Sequence, residues 1–192
     1  GPGAVTGCDP SLAMLHAARS RYRGVRVAAA ALPHLPFRSG SFDAVALGFV
    51  LSHLDDVPAA LEEVCRLLKT GGRLGVSSWS LSAGESEPGR VWAAVAHDFV
   101  PETELEEAAA CTLPSEKRLS TPESLAGALR LARFAGVRAE QMTYSIEAGT
   151  DDYVRSRLVS VTSRYMSESL GEEEWQRFVA GARTALKSRF GE

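Results

Sequence analysis

The stretch LPFRSGSFDAVALGFVLSHLDD, residues 35–56, constrains the chain more than any other. It opens with an apolar loop, passes into the near-continuous apolar run Phe42–Phe49, and turns at Asp55-Asp56 into a helix. An apolar run of that length reads as a strand covered on both faces, as in a parallel sheet. After the aspartates, Val57, Ala60, Leu61, Val64, Leu67 and Leu68 recur at helical spacing, while Glu62, Glu63, Arg66 and Lys69 fall off that stripe. Gly71-Gly72 predicts a left-handed cap ending the helix, and Arg73–Ser78 predicts the next buried strand.

The alternation extends upstream. Ala4–Cys8 is a short apolar segment stopped by Asp9-Pro10-Ser11, where Asp9 or Ser11 can cap a helix running from Ser11 to Tyr22. Val25–Ala30 predicts a second strand, and two prolines exclude regular structure over Leu32–Pro36. The crossovers are long enough for parallel pairing. The fold class is therefore α/β, a doubly wound, Rossmann-like, mostly parallel sheet. The second half is more helical. Helices are predicted over Gly89–Phe99 and Glu104–Ala110, and from a capping box at Ser120–Glu123 to Gly136. Val137–Ile146 alternates as a strand does, and two helices follow over Asp151–Met166 and Glu172–Phe190.

Composition narrows the function classes. The 192 residues, 45% of them apolar, suit one domain with a sizeable core. A net charge of −3 provides no basic field, so nucleic acid is not expected as a partner. No apolar run approaches the ~20 residues that cross a bilayer, and no charged segment followed by an apolar one opens the chain as a signal peptide would. Cys8, Cys65 and Cys111 are odd in number, widely spaced and without zinc-site spacing. They predict isolated buried thiols in a reducing cytoplasm and no metal site.

VTGCDPSLAML, LPFRSGSFDAVALGFVLSHLDD and ALEEVCRLLKTGGRLGVSSW follow one another in that order. Together they resemble class I S-adenosylmethionine-dependent methyltransferases, in the branch that includes ubiquinone- and menaquinone-type and natural-product enzymes. The resemblance is specific from Ala4 to Trp79. Beyond that it is loose, and only STPESLAGALRLARFAGVRAEQM keeps the family's helix-then-strand cadence. It implies S-adenosylmethionine as cofactor and methyl transfer to a small-molecule acceptor. It also implies a division of one domain into a cofactor-side half, 1–80, and a mostly helical substrate-side half, 81–192.

The resemblance assigns residues as well. Asp9, followed by Pro10, would accept the two ribose hydroxyls, as a carboxylate can; otherwise it only caps a helix. Met14 would press on adenine or pack in the core. Ala31 and Leu32 fall where relatives carry an acid for the adenine amino group, so backbone groups and apolar contact would replace it. Gly48, Phe49 and Val50 would pass the methionine part, a glycine permitting close approach or simply ending a strand. His53 and Trp92 would meet the substrate, or else His53 caps the next helix and Trp92 joins the core. Phe99 and Tyr153 share that alternative. No catalytic base is assigned.

The family's first strand with its glycine-rich turn has no counterpart ahead of Asp9, and its last strand has none after the final helix. Both are internal in the expected sheet, so a gap would leave unpaired edges. The undisturbed motif spacing favours a fragment of a longer protein; a partner or exchanged subunit, as in a homodimer, and a rebuilt fold are the alternatives. The missing turn also motivates a second function, a non-catalytic methyltransferase-like scaffold or regulatory partner that no longer binds the cofactor. A dehydrogenase-like nucleotide binder fits SFDAVALGFVLSHL poorly.

Overall fold

A computed structural model describes residues 4–81 and 86–191. The chain is α/β with parallel strands, as its sequence predicts. The strands are β1 (Thr6–Asp9), β2 (Arg26–Ala29), β3 (Phe42–Gly48) and β4 (Leu68–Ser77). Helix α1 (Leu12–Arg21) links β1 to β2, and α2 (Val57–Leu67) links β3 to β4. The later helices are α3 (Glu87–His97), α4 (Glu102–Thr112), α5 (Pro122–Leu131), α6 (Thr150–Leu158), α7 (Val161–Ser169) and α8 (Glu172–Phe190).

Two compact units arise. The α/β unit takes residues up to 49 together with 56–77 and 127–137; the helical unit takes 50–55, 78–126 and 138 onward. In the α/β unit β1 pairs in parallel with β2, from Thr6 opposite Arg26 to Asp9 opposite Ala29. β3 pairs in parallel with β4, Val45 opposite Leu74 and Gly48 opposite Ser77. Among the described residues no ladder joins the two pairs.

Local chemistry explains the helix starts. Ser11 Oγ accepts the Met14 N–H at 3.4 Å and caps α1. Asp56 Oδ1 accepts the Ala59 N–H at 2.9 Å and caps α2, with proline in the first turn. The α2 stripe buries Val57, Ala60, Leu61, Val64 and Leu67, as its spacing predicts. At α5 the capping box is closed by Ser124 instead of an acid. Thr121 Oγ1 accepts the Ser124 N–H and Ser124 Oγ accepts the Thr121 N–H, both at 3.2 Å.

Five expectations change. β3 is not covered on both faces: Asp43, Ala44, Ala46 and Gly48 are exposed, and Leu47 alone within it is buried. The helix before Gly71-Gly72 stops earlier, at Leu67, with Leu68 already extended. Gly71 does take a left-handed φ of 80°, but inside β4, where the register slips between Phe42–Leu68 and Ala44–Arg73. At Gly72 a Cβ would sit 2.9 Å from the Lys69 carbonyl oxygen and 3.3 Å from that of Asp43, so the bulge demands glycine there. Val137–Ile146 is not a strand. No strand forms over these residues, and Met142, Tyr144 and Ile146 stand exposed. Alternation supplies a face; only a neighbouring strand supplies the hydrogen bonds.

The helix expected over Asp151–Met166 is two. It breaks at Val159-Ser160, where Ser160 Oγ accepts the Ser163 N–H at 3.3 Å and starts α7. Finally, Cys8, Cys65 and Cys111 are free and exposed instead of buried.

The helical unit has its own core. Trp92, Ala96, Val100, Leu105, Val154, Met166, Phe178, Ala182 and Leu186 form one buried cluster. Phe178 is its hub, with ring centroids 5.1 Å from Trp92, 5.4 Å from Trp175 and 5.7 Å from Phe99.

Candidate functional site

The candidate site is built from strand ends. Asp9 closes β1 and Pro10 follows it. Its carboxylate Oδ1 accepts the Ser11 N–H at 2.7 Å, and its backbone oxygen accepts the Ala30 N–H at 3.3 Å. The first contact is an Asx turn, which forms because a short acid two residues before a helix can reach the free N–H groups there. Asp9 therefore lies beside Ala29–Ala31 at the carboxyl ends of the first strand pair, and Ser11 is the cap of α1. Met14, one turn into α1, is 60% exposed. It is a surface side chain and not a core one.

After β2 the chain turns tightly. The His34 N–H donates to the Ala31 oxygen at 3.0 Å, leaving Ala31 exposed and Leu32 half-buried. The loop beyond it is clamped from α2. Glu63 Oε1 accepts the Leu35 N–H at 3.0 Å, while Arg66 Nη1 donates to the Phe37 oxygen at 2.9 Å and to Ser39 Oγ at 3.2 Å. Glu63 and Arg66 also grip each other, Nε to Oε2 at 2.6 Å. The Arg66 hydrogen bond holds the Glu63 carboxyl below its usual range, against the opposing effect of burial. From sequence, both residues are placed only as lying off the apolar stripe. The missed signal is their i, i+3 spacing opposite a proline-rich loop whose backbone groups have no strand to pair with.

At the end of the second pair Gly48 stands opposite Ser77, and the Phe49 N–H donates to the Ser77 oxygen at 3.0 Å. A Cβ on Gly48 would meet only Ser77 Oγ, at 4.0 Å, so the strand itself leaves room there. Phe49 takes the left-handed conformation, φ 56°, with its side chain partly exposed. An aromatic residue in that region carries a strain of about 1–2 kcal/mol. Nothing in the sequence announces this, because the glycine beside it is the expected residue for such a turn.

Val50, His53 and Trp92 belong to the helical unit. Val50 is half-buried and His53 is exposed, its N–H closing a single 3₁₀ turn onto the Val50 oxygen at 3.1 Å. Trp92 is 2% exposed, inside the helical core. Ser115, which sequence reading passed over, anchors the 50–55 segment: its N–H donates to the Ser52 oxygen at 3.1 Å and its hydroxyl to the Leu54 oxygen at 2.6 Å.

Partial burial raises the Cys8 thiol, and partial burial with nearby Glu62 raises that of Cys65. No cluster of metal-ligating side chains occurs among the described residues. A polar groove between α4 and α7, lined by Glu104, Glu107, Arg164 and Tyr165 among others, includes none of the predicted site residues.

Comparisons with known proteins bear on this geometry. Residues 1–76 match a family model described as a methyltransferase domain. A demethylmenaquinone methyltransferase of Corynebacterium kroppenstedtii is 43% identical over 76 residues, which is 40% of this chain and 32% of that protein. A mitochondrial 2-methoxy-6-polyprenyl-1,4-benzoquinol methylase of Leishmania donovani is 31% identical over 150 residues, 72% of this chain and 51% of that protein. A solved SAM-dependent methyltransferase from Thermotoga maritima is 30% identical, covering 66% of this chain and 53% of its own, with a TM-score of 0.45. The chain spans about a third of the length of the curated relatives that head the comparison. Residues 1–76, which carry Asp9, Met14, the Ala31 turn and the Gly48-Phe49 strand end, are the part of this chain that is similar to a methyltransferase domain.

Proposed function

We propose that this chain takes part in methyl transfer from S-adenosylmethionine to a small-molecule acceptor. The residues at the strand ends fit the cofactor's chemistry. A ribose diol needs an acceptor of two hydrogen bonds. Asp9 provides a carboxylate of which, among the described residues, only Oδ1 is engaged, by its own turn. Adenine needs an apolar face, and the exposed Met14 provides one; the turn at Ala31 and Leu32 offers backbone groups in place of an acid. The open Cβ position of Gly48 and the turned backbone of Phe49 and Val50 suit close approach of an amino-acid chain.

The cofactor brings the reactive methyl group on its sulfonium, which is the hard part of the chemistry. What the chain adds is position. Asp9 fixes the sugar, Met14 the base, and Gly48–Val50 the tail, so the methyl would be held for in-line attack. Residues 1–80 take the cofactor-side role and residues 81–192 the substrate-side role. His53 supplies an exposed imidazole for an acceptor, and Trp92 stiffens the helices from within. A reducing cytoplasm suits the three free thiols.

One observation carries the reading: Asp9 at the carboxyl end of β1, with an oxygen to spare, in a segment that matches the family. Calorimetry with S-adenosylmethionine tests it. Asp9→Asn keeps an oxygen for the Ser11 N–H and removes the charge, so it should weaken binding by about 10-fold or more. Equal binding by the variant, or no heat from the folded wild-type chain, removes the proposal.

A further inference from the structure

Arg157, in the last turn of α6, is a cation that the described chain does not neutralise. Its Nε is buried and finds no acceptor among the described residues. Its guanidinium carbon lies 5.9 Å from the centroid of the Trp92 ring, a cation–π distance. The acids of its own helix are already committed. Asp152 pairs with Arg155 at 2.6 Å, and Asp151 pairs with Arg183 at 3.0 Å and Lys187 at 3.9 Å. The C-terminal end of α6 offsets the charge only in part. The ring beneath is a fixed platform: Trp92 is held edge-on by Phe178, at 82° between ring planes.

A partly desolvated guanidinium without a counter-charge is unfavourable. The guanidinium lies over the Trp92 ring at a cation–π distance, and its two terminal Nη groups form a planar fork. Those two groups are neither bonded within the described chain nor closed off from solvent as Nε is. We propose that Arg157 is an anion receptor that takes the carboxylate of a small organic acid end-on through Nη1 and Nη2, with the Trp92 ring beneath the guanidinium. That this acid is the methyl acceptor rests on the transferase reading; the binding itself does not.

Benzoate is a suitable probe, with benzamide as its uncharged counterpart. Binding is followed by tryptophan fluorescence and by the ¹⁵N-edited Nε–H signal of Arg157. Wild type should bind benzoate saturably and benzamide about 10-fold more weakly. Arg157→Met keeps the aliphatic stem and should lose about 10-fold in benzoate affinity; Arg157→Lys, a point charge without the fork, should fall between. Arg155→Met, on the same helix, should bind as wild type does. Should Arg157→Met fail to fold, Arg157→Lys and the benzamide comparison decide. Equal binding of benzoate and benzamide, no saturable binding of benzoate, or wild-type affinity in Arg157→Lys overturns the proposal. Calorimetry with S-adenosylmethionine on the same sample separates the two ideas. Benzoate binding without cofactor binding keeps the receptor and removes the transferase; the reverse outcome removes the receptor alone.

Discussion

The helical unit and the α/β unit reach burial by different routes. In the helical unit, apolar stripes on several helices meet one another, and Val154, Met166, Phe178 and Ala182 reach 0% exposure. In the α/β unit one helix, α2, supplies most of the buried side chains, while β3 and β4 keep half or more of their residues exposed. A helix satisfies its backbone within itself and needs only a partner for one stripe. A strand needs neighbours at both edges and layers on both faces, which two-stranded pairs cannot supply.

Three substitutions probe that contrast. The largest effect belongs to Phe178→Ala, which removes a ring touching three other aromatic rings and should cost about 3–5 kcal/mol. Near-UV circular dichroism through a urea titration should show the aromatic signal lost early, with the strands lost later. One shared, equally shifted transition would break the contrast. Gly72→Ala attacks the α/β unit at its bulge, where the added methyl meets backbone that cannot swing aside. About 1–3 kcal/mol is expected, seen as a lower urea midpoint. An unchanged midpoint would mean that the bulge yields freely.

The smallest effect is Glu63→Gln, about 1 kcal/mol, since the pair it breaks lies at the edge of solvent. It sharpens the contrast through pH. The Glu63 carboxyl is held below its ordinary value by Arg66, so its contribution is complete above the ordinary glutamate range and is lost as pH falls through the depressed value. Hydrogen exchange at the Leu35 amide should quicken over that acid window in wild type. It should be fast and nearly independent of that titration in the variant.

The legible part of the fold was whatever local chemistry decides. Asp55-Asp56 before an apolar stripe fixed the start of α2 almost to the residue, though not its end, and Ser160 could have been read as a cap in the same way. The strand pairs were legible as apolar runs, and their parallel sense followed from the helices between them. Val137–Ile146 was misread because alternation describes one chain and a ladder requires two. Asp9 could be placed at a strand end from sequence; its turn with Ser11 could be anticipated from the Asp-Pro-Ser spacing. Phe49's left-handed backbone and the Arg157–Trp92 contact could not, since each depends on neighbours that only tertiary packing brings near.

The Asx turn at Asp9 has a consequence for molecular recognition. A carboxylate on a freely rotating side chain must give up that rotation when it meets a diol, at a cost on the order of 0.5 kcal/mol or more. The bond from the Ser11 N–H to Oδ1 has already stopped the rotation in the folded chain. A sugar arriving at this strand end would find its acceptor pre-aimed, with less disorder left to remove.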